Sequence, residues 1–344
     1  MPTALPTTHR EVRLAAVPHG LPRPEDFAVV EALLPLPGPG EVLVRNRLFH
    51  VAGTLRMLIA GATEGTPFPV LRPGDTLVGA AVGEVVTAPG GTGLQSGDLV
   101  THWSGWREYA VVPAAECTPL DADLPDPVAS LSMGWTAYAA LTRGVELRPG
   151  DTVFVSSGAG AIGSMAGRIA RLLGAGRVIG STGSPAKAER LVAELGYDAA
   201  VVRSAQAPLA EQLALAAPDG IDVLLDSVGG DQLQAAVRVA RPGARYVLVG
   251  ALSGQLDPAR PGTGSPVELD SFQLILKRIT LRGFSADDVA TTTARAEWTA
   301  RLAGWLRSGE IAVPHVRIDG IERAPQAACE VVRGGHLGLV VVEL

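Results

Sequence analysis

The chain has 344 residues, a formal net charge of −6, 47% hydrophobic and 19% charged residues, 41 glycines and 26 prolines. That length suggests about two domains. Gly plus Pro is about a fifth of the chain against a usual ~12%, yet the apolar content is enough to offset chain entropy and excludes a low-complexity disordered protein. An acidic balance with no Lys/Arg run argues against nucleic-acid and anionic-membrane partners, and no stretch approaches the ~20 apolar residues of a membrane helix. Two distant cysteines, Cys117 and Cys329, fit neither a disulfide framework nor a four-cysteine zinc site, and suit a reducing, cytoplasmic setting.

Taken in chain order, Met1–Arg10 is Pro/Thr-rich, lacks a signal pattern and reads as a short disordered lead-in. From residue 11 to about 124, short apolar runs such as Glu41–Arg45, Leu77–Val86 and Glu108–Val112 alternate with turn signals such as Pro37–Gly40 and Pro73–Asp75. This spacing predicts a sandwich or partly open barrel.

From about 125 the pattern becomes strand–helix–strand. Strands are predicted at Thr152–Ser156, Val178–Ile179, Ala200–Val202, Val223–Leu225 and Tyr246–Val249, and helices over Ile162–Leu173, Pro185–Leu195 and Gln232–Ala240. Alternation of this kind calls for a doubly wound parallel sheet. Short strands return at His315–Ile318 and Leu339–Glu343. The expected domains are therefore 1–124 with 309–344, and 125–308.

Between the first strand and helix of the second domain lies Ser156–Gly163, with G-x-G-x-x-G at Gly158, Gly160 and Gly163. Gly158 is expected to permit the tight turn, Gly160 to let backbone N–H groups approach a pyrophosphate, and Gly163 to let the helix pack on the strand. The helix N-terminus then faces the anion, with Ala161 and Ile162 in the turn. Strand–turn–helix context turns a weak motif into a dinucleotide signature. An acidic residue at the end of the second strand would bind the adenosine ribose, but the segment reads Gly180–Ser184, with no acid. Ser181, with Lys187 and Arg203 near by, suits a 2′-phosphate and hence NADPH.

These features, together with Gly40–Asn46, Gly83–Val86, Ser96–Val100, Gly105–Val111, Met133–Tyr138, Asp226–Gly230, Gly250–Ser253 and Arg282–Phe284 in this order, resemble the medium-chain dehydrogenase/reductase superfamily. Within it the chain is most similar to the zinc-free leukotriene B4 dehydrogenase, prostaglandin reductase and curcumin-reductase-like group. The resemblance spans nearly the whole chain. It implies an α/β fold with a GroES-like β-rich catalytic domain and a Rossmann domain. It also implies a homodimer and NADPH-dependent reduction of a carbon–carbon double bond conjugated to a carbonyl. Hydride goes to the β-carbon, and the resulting enolate is protonated. On this footing Gly160–Gly163 hold the pyrophosphate and Lys187 the 2′-phosphate. Ser227, Gly250, Ala251, Leu252, Phe284, Ser285 and His336 lie by the cofactor.

The chain departs from the family pattern on the substrate side. Leu55 and Gln255 stand where the family often has tyrosines, and His336–Leu339 replaces an Asn-Leu-Gly-Lys pattern. His50, Leu55 and Gln255 are the expected pocket residues. Gln255 and His50 are the candidates for chemistry, Gln255 as a hydrogen-bond donor to the enolate oxygen and His50 as the titratable group. The positions where zinc-bearing relatives place ligands read Ala52–Gly53 and Gly79–Ala81, so no metal is expected. The missing tyrosines keep a quinone reductase, a specialised biosynthetic reductase and a non-catalytic NADPH-binding protein open as alternatives. Gly254–Asp270 is expected to form a mobile cover.

Overall fold

In the computed structural model, the residues described are 5–61, 63, 68–121, 124–203, 206–257, 264–285 and 292–344. Contacts divide the chain into two compact units. One comprises 1–131, 315–335 and 339–344; the other comprises 132–314 and 336–338.

The chain opens with β1 (Thr8–Leu14) and β2 (Phe27–Leu33), an antiparallel pair. There follow β3 (Glu41–His50), α1 (Leu55–Ile59), β4 (Ala81–Thr87), β5 (Leu99–His102), β6 (Tyr109–Pro113) and β7 (Thr118–Pro119). The second unit runs α2 (Gly134–Ala139), β8 (Thr152–Val155), α3 (Gly163–Leu172), β9 (Arg177–Thr182), α4 (Pro185–Glu194), β10 (Ala199–Val202), α5 (Leu209–Ala216) and β11 (Ile221–Asp226). It continues through α6 (Gly230–Arg238), β12 (Ala240–Leu248), α7 (Leu252–Gln255), α8 (Ser271–Lys277), β13 (Thr280–Gly283) and α9 (Thr292–Ser308). Last come β14 (His315–Asp319), α10 (Ala324–Val332) and β15 (Leu339–Glu343).

In the first unit one sheet runs β14-β15-β3-β4-β5-β7, with β6 pairing β3. β3 organises it because its length allows three partners: β15 at Leu48–His50, β6 at Glu41–Arg45, and β4 along most of the strand. Val42 and Val44 face a small core with Val85, Val100 and Val112. Phe49 enters a larger one with Leu14, Leu58, Leu77 and Trp106. Each such buried side chain contributes about 1.5–3 kcal/mol.

The second unit holds a six-stranded parallel sheet in the order β10-β9-β8-β11-β12-β13. Its central strands are apolar runs because helices cover both faces. Val153, Phe154, Val155, Val223, Leu224 and Leu225 are all fully buried. The chain winds outward from β8 to β10, then returns to β11 and winds the other way. The crevice at the carboxyl ends of β8 and β11 is where such folds bind ligands. α3 packs through Met165, Ala166, Ile169 and Ala170 while Arg168 faces solvent, the spacing of an amphipathic helix.

The helix expected over Gln232–Ala240 ends at Arg238, and Ala240 already belongs to β12. The second unit continues past residue 308 because Ile311 is buried and its N–H donates to the Trp305 carbonyl (3.2 Å).

Candidate cofactor site

The glycine-rich turn follows β8. Its left-handed residue is Ser157 (φ 54°), whereas Gly158 does not take a positive φ. Gly158 is required for a different reason: a Cβ there would lie 3.2 Å from Gly180 Cα on β9 and 3.2 Å from Leu191 Cδ1. Gly163 has the tightest constraint. A Cβ would sit 2.2 Å from the Ser157 carbonyl oxygen and 2.6 Å from Gly158 Cα. Gly160, Ala161 and Ile162 are half-exposed, and no side chain caps the N-terminus of α3. Ser164 N–H donates to the Gly160 carbonyl (2.8 Å) and Met165 N–H to that of Ile162 (3.2 Å), so it is the N–H groups of Ala161, Ile162 and Gly163, with the positive dipole end, that the turn offers to an anion.

The turn is tied from below by groups distant in sequence. The Ser157 N–H donates to Ser181 Oγ (2.9 Å), and Ser181 in turn donates to Gln232 Oε1. Ser181 is 1% exposed, so its hydroxyl faces the underside of the turn rather than solvent. Tyr197 Oη donates to the Gly163 carbonyl (2.6 Å), and burial pushes this phenol well above its usual pKa. On the β11 side, Ser156 Oγ donates to Asp226 Oδ1 (2.6 Å) and accepts from Ser227 N–H (2.8 Å). Asp226, fully buried, also accepts from the N–H groups of Val228 (2.9 Å) and Gly229 (3.0 Å). Buried polar groups of this kind persist because each has its partner. Ser156, Ser157 and Gly163 belong to the glycine-rich segment, Ser181 to the end of β9 and Asp226–Gly229 to the Asp226–Gly230 motif, whereas Tyr197 and Gln232 carried no signal in the sequence.

The other expected cofactor residues of this unit lie just beyond the carboxyl ends of the strands. Lys187 sits in α4, after β9. Its Nζ donates to the carbonyl of His336 (2.6 Å), and burial lowers its pKa, with Arg190 adding to the effect. His336 is held close by, since Gly338 N–H donates to the Ala159 carbonyl in the glycine-rich turn (2.9 Å). Arg203 follows β10 and is exposed, with its guanidinium 3.3 Å from where a Gly183 Cβ would stand. Ser227 follows β11, and its Oγ is buried with no hydrogen-bond partner among the described residues. Gly250, Ala251 and Leu252 follow β12. A Cβ on Gly250 would lie 2.8 Å from the Ser227 carbonyl oxygen, and Leu252 N–H donates to that oxygen (3.1 Å). Phe284 and Ser285 follow β13, with Phe284 N–H on the Leu248 carbonyl (2.9 Å). Gln255 is half-buried in α7. Of the expected cover Gly254–Asp270, residues 258–263 lie outside the described residues. The remainder is anchored by Ser253 Oγ to Ser265 Oγ (2.9 Å) and by Asp270 capping α8.

Two expected pocket residues belong to the first unit. Leu55, at 3% exposure, is part of its hydrophobic core with Leu58, Ile59 and Trp106, so its side chain is a packing element. His50 ends β3 and is buried, and desolvation lowers its pKa to about 4. It is therefore uncharged at neutral pH and holds no imidazolium proton to give. Among the described residues, no three His, Cys, Asp or Glu side chains are grouped so as to hold a metal ion.

Residues 161–303 match the family profile described as zinc-binding dehydrogenase, and residues 10–120 match that described as N-terminal domain of oxidoreductase. The chain is 30% identical over 336 residues to the NADPH-dependent curcumin reductase of Escherichia coli, covering 96% of this chain and 95% of the relative. It is 30% identical over 332 residues to prostaglandin reductase 1 of Oryctolagus cuniculus, covering 93% and 89%. The crystal structure of CurA in complex with NADPH from Vibrio vulnificus superposes with a TM-score of 0.86 at 31% identity, covering 97% of this chain and 98% of that one.

Proposed function

Because this chain belongs to the medium-chain dehydrogenase/reductase superfamily, in its zinc-free reductase group, and is on that footing an NADPH-dependent oxidoreductase, we propose that it reduces a carbon–carbon double bond conjugated to a carbonyl. The carrying observation is the set of groups at the carboxyl ends of the parallel strands. It joins an uncapped helix N-terminus, a cation in Lys187, no carboxylate at the end of β9, and an orphaned buried hydroxyl in Ser227.

These groups fit NADPH. The backbone of Gly160–Gly163 holds the pyrophosphate at the dipole of α3. Lys187, together with Arg203, whose guanidinium lies 3.3 Å from where a Gly183 Cβ would stand, pairs with the 2′-phosphate, where an acidic side chain would repel it. Ser227, Gly250, Ala251, Leu252, Phe284 and Ser285 line the nicotinamide end. Bound NADPH supplies the hydride for the β-carbon. The side-chain amide of Gln255 donates a hydrogen bond to the oxygen that gathers charge. An amide is not a proton donor, and His50 is neutral at pH 7. The α-carbon proton therefore comes from solvent in this reading.

The protein works as a homodimer in this proposal. β13 has β12 on one side and no partner on the other among the described residues. Beside it α8 exposes Phe272 (63%) and Ile275 (69%). A second copy pairing the same edge across a two-fold axis covers both features. Two free thiols, Cys117 and Cys329, suit the cytoplasm.

A panel of α,β-unsaturated aldehydes and ketones, with quinones as comparators, followed by loss of NADPH absorbance, tests the reading. Turnover of enones supports it; turnover of quinones alone, or tight NADPH binding with no acceptor reduced, overturns it.

A further inference from the structure

We propose that Gln232 is a positioning residue for the cofactor turn, acting through Ser181 on the left-handed residue Ser157. The inference rests on the reading above that the turn 158–163 holds the NADPH pyrophosphate.

The groups form one directed chain. Ser157 N–H donates to Ser181 Oγ at 2.9 Å, and the Ser181 hydroxyl donates to Gln232 Oε1. Gln232 stands in the first turn of α6, following β11, while Ser181 is on β9, so the contact passes from one side of β8 to the other. Gln232 is 4% exposed and Ser181 1% exposed. Once Ser181 accepts from Ser157, its own proton needs an acceptor, and Gln232 provides it in a dry setting where each bond strengthens the next.

Ser157 is the residue in the turn that most needs such support. A left-handed conformation is unfavourable for a side chain with a Cβ and persists where surroundings enforce it. Its carbonyl accepts from Gly160 N–H (2.9 Å) and is the atom against which Gly163 packs. The orientation of the Ser157 peptide therefore fixes where the N–H groups of Gly160–Gly163 point. The Ser181 hydroxyl that Gln232 holds faces the underside of the turn, so its effect is on the part common to NADPH and NADH.

The experiment compares wild type, Gln232→Leu, Ser181→Ala and the double variant for NADPH and NADH affinity by fluorescence titration, with kcat and thermal stability alongside. The expected result is about a tenfold rise in Kd for both cofactors in each single variant, a shift of RT ln 10. For Gln232→Leu the NADPH-to-NADH ratio is expected to stay unchanged, with kcat at saturating NADPH within about twofold, and the double variant is expected to lose little further affinity. Single variants that lose thermal stability but keep their cofactor Kd overturn the proposal and leave the pair a packing feature. So does a change in the NADPH-to-NADH ratio in Gln232→Leu. Wild-type protein that fails to bind NADPH overturns the earlier reading instead.

Discussion

Tyr197 donates its hydroxyl to the carbonyl of Gly163, the first residue of α3, across 34 positions of sequence. Its ring fills the space beside Gly167 and Gly180, where Cβ atoms would come within 2.6 Å and 2.8 Å of it. Tyr197→Phe keeps the ring and removes the bond, so a loss of about 1 kcal/mol is expected, read from urea unfolding. Tyr197→Ala opens a cavity under the turn, and a loss of about 3–5 kcal/mol is expected.

Gly163→Ala places a methyl group against backbone on two sides. Backbone cannot rotate away, so a sharp fall in NADPH affinity is expected, at least about tenfold, equivalent to ~1.4 kcal/mol. Gly304→Ala in α9 is the control, because nothing lies within 4 Å of its would-be Cβ. There stability is expected to be unchanged or to rise by about 0.5–1 kcal/mol.

Lys187→Ala removes the cation expected at the 2′-phosphate. KM for NADPH is expected to rise by about tenfold or more, with NADH changed by less than about twofold, and with a shallower salt dependence. Arg203→Ala acts in the same direction more weakly, since its side chain is exposed. Burial lowers the Lys187 pKa, so NADPH affinity is expected to fall on the alkaline side at a lower pH than an exposed lysine would give. Equal losses for NADPH and NADH count against this assignment.

Acid sensitivity is expected in the first unit. His50 and His102 are buried with pKa values lowered to about 4. His102 Nδ1 also accepts from the Ser104 N–H (3.1 Å), a bond that needs the unprotonated ring. Unfolding restores the ordinary value near 6.5, so the unfolded chain binds more protons between pH 6.5 and 4. The stability these neutral rings contribute is fully present above about pH 6.5. It is lost as pH falls through that window, by on the order of 3 kcal/mol for each ring. Urea titrations at pH 7 and pH 4.5 measure it, and His102→Gln is expected to flatten the slope.

Ile275→Asp puts a charge on the exposed face of α8. Sedimentation is expected to show the proposed dimer giving way to monomer, while NADPH binding to the monomer persists. A wild-type protein that sediments as a monomer at micromolar concentration refutes the dimer outright.

The glycine-rich turn was legible in the sequence because strand, turn and helix are adjacent and each is set by local chemistry. The groups beneath it were not. Ser156 meets Asp226 across 70 positions and Ser181 meets Gln232 across 51, and no short-range pattern marks a serine as a tie. Gly158 was assigned the turn's unusual backbone because glycine is the usual occupant, whereas long-range bonds hold Ser157 there instead. Only Ala240 of β12 falls in the expected helix; Arg241–Arg245 carries no strand signal because Arg241–Gly243 is polar and turn-forming at an exposed edge. α8 packs on the core through Leu274 alone and leaves Phe272, Ile275 and Leu276 exposed, so its apolar residues make no single buried face to read. His50 looked like a site residue because it is titratable; its neutrality follows from burial that only the folded sheet creates.

The pairing of β3 with β15 has a consequence for how the chain is made. Val341 lies opposite His50 and Val342 opposite Phe49, so the pivotal strand of the first sheet waits for a partner synthesised roughly 290 residues later. The parallel sheet, by contrast, draws all its strands from one uninterrupted stretch. During translation the nucleotide-binding half is able to consolidate while the earlier half still carries an open, apolar strand edge. The nascent β-rich half is then the species that a chaperone has most reason to hold, and late mutations in β15 should depress yield before they touch catalysis.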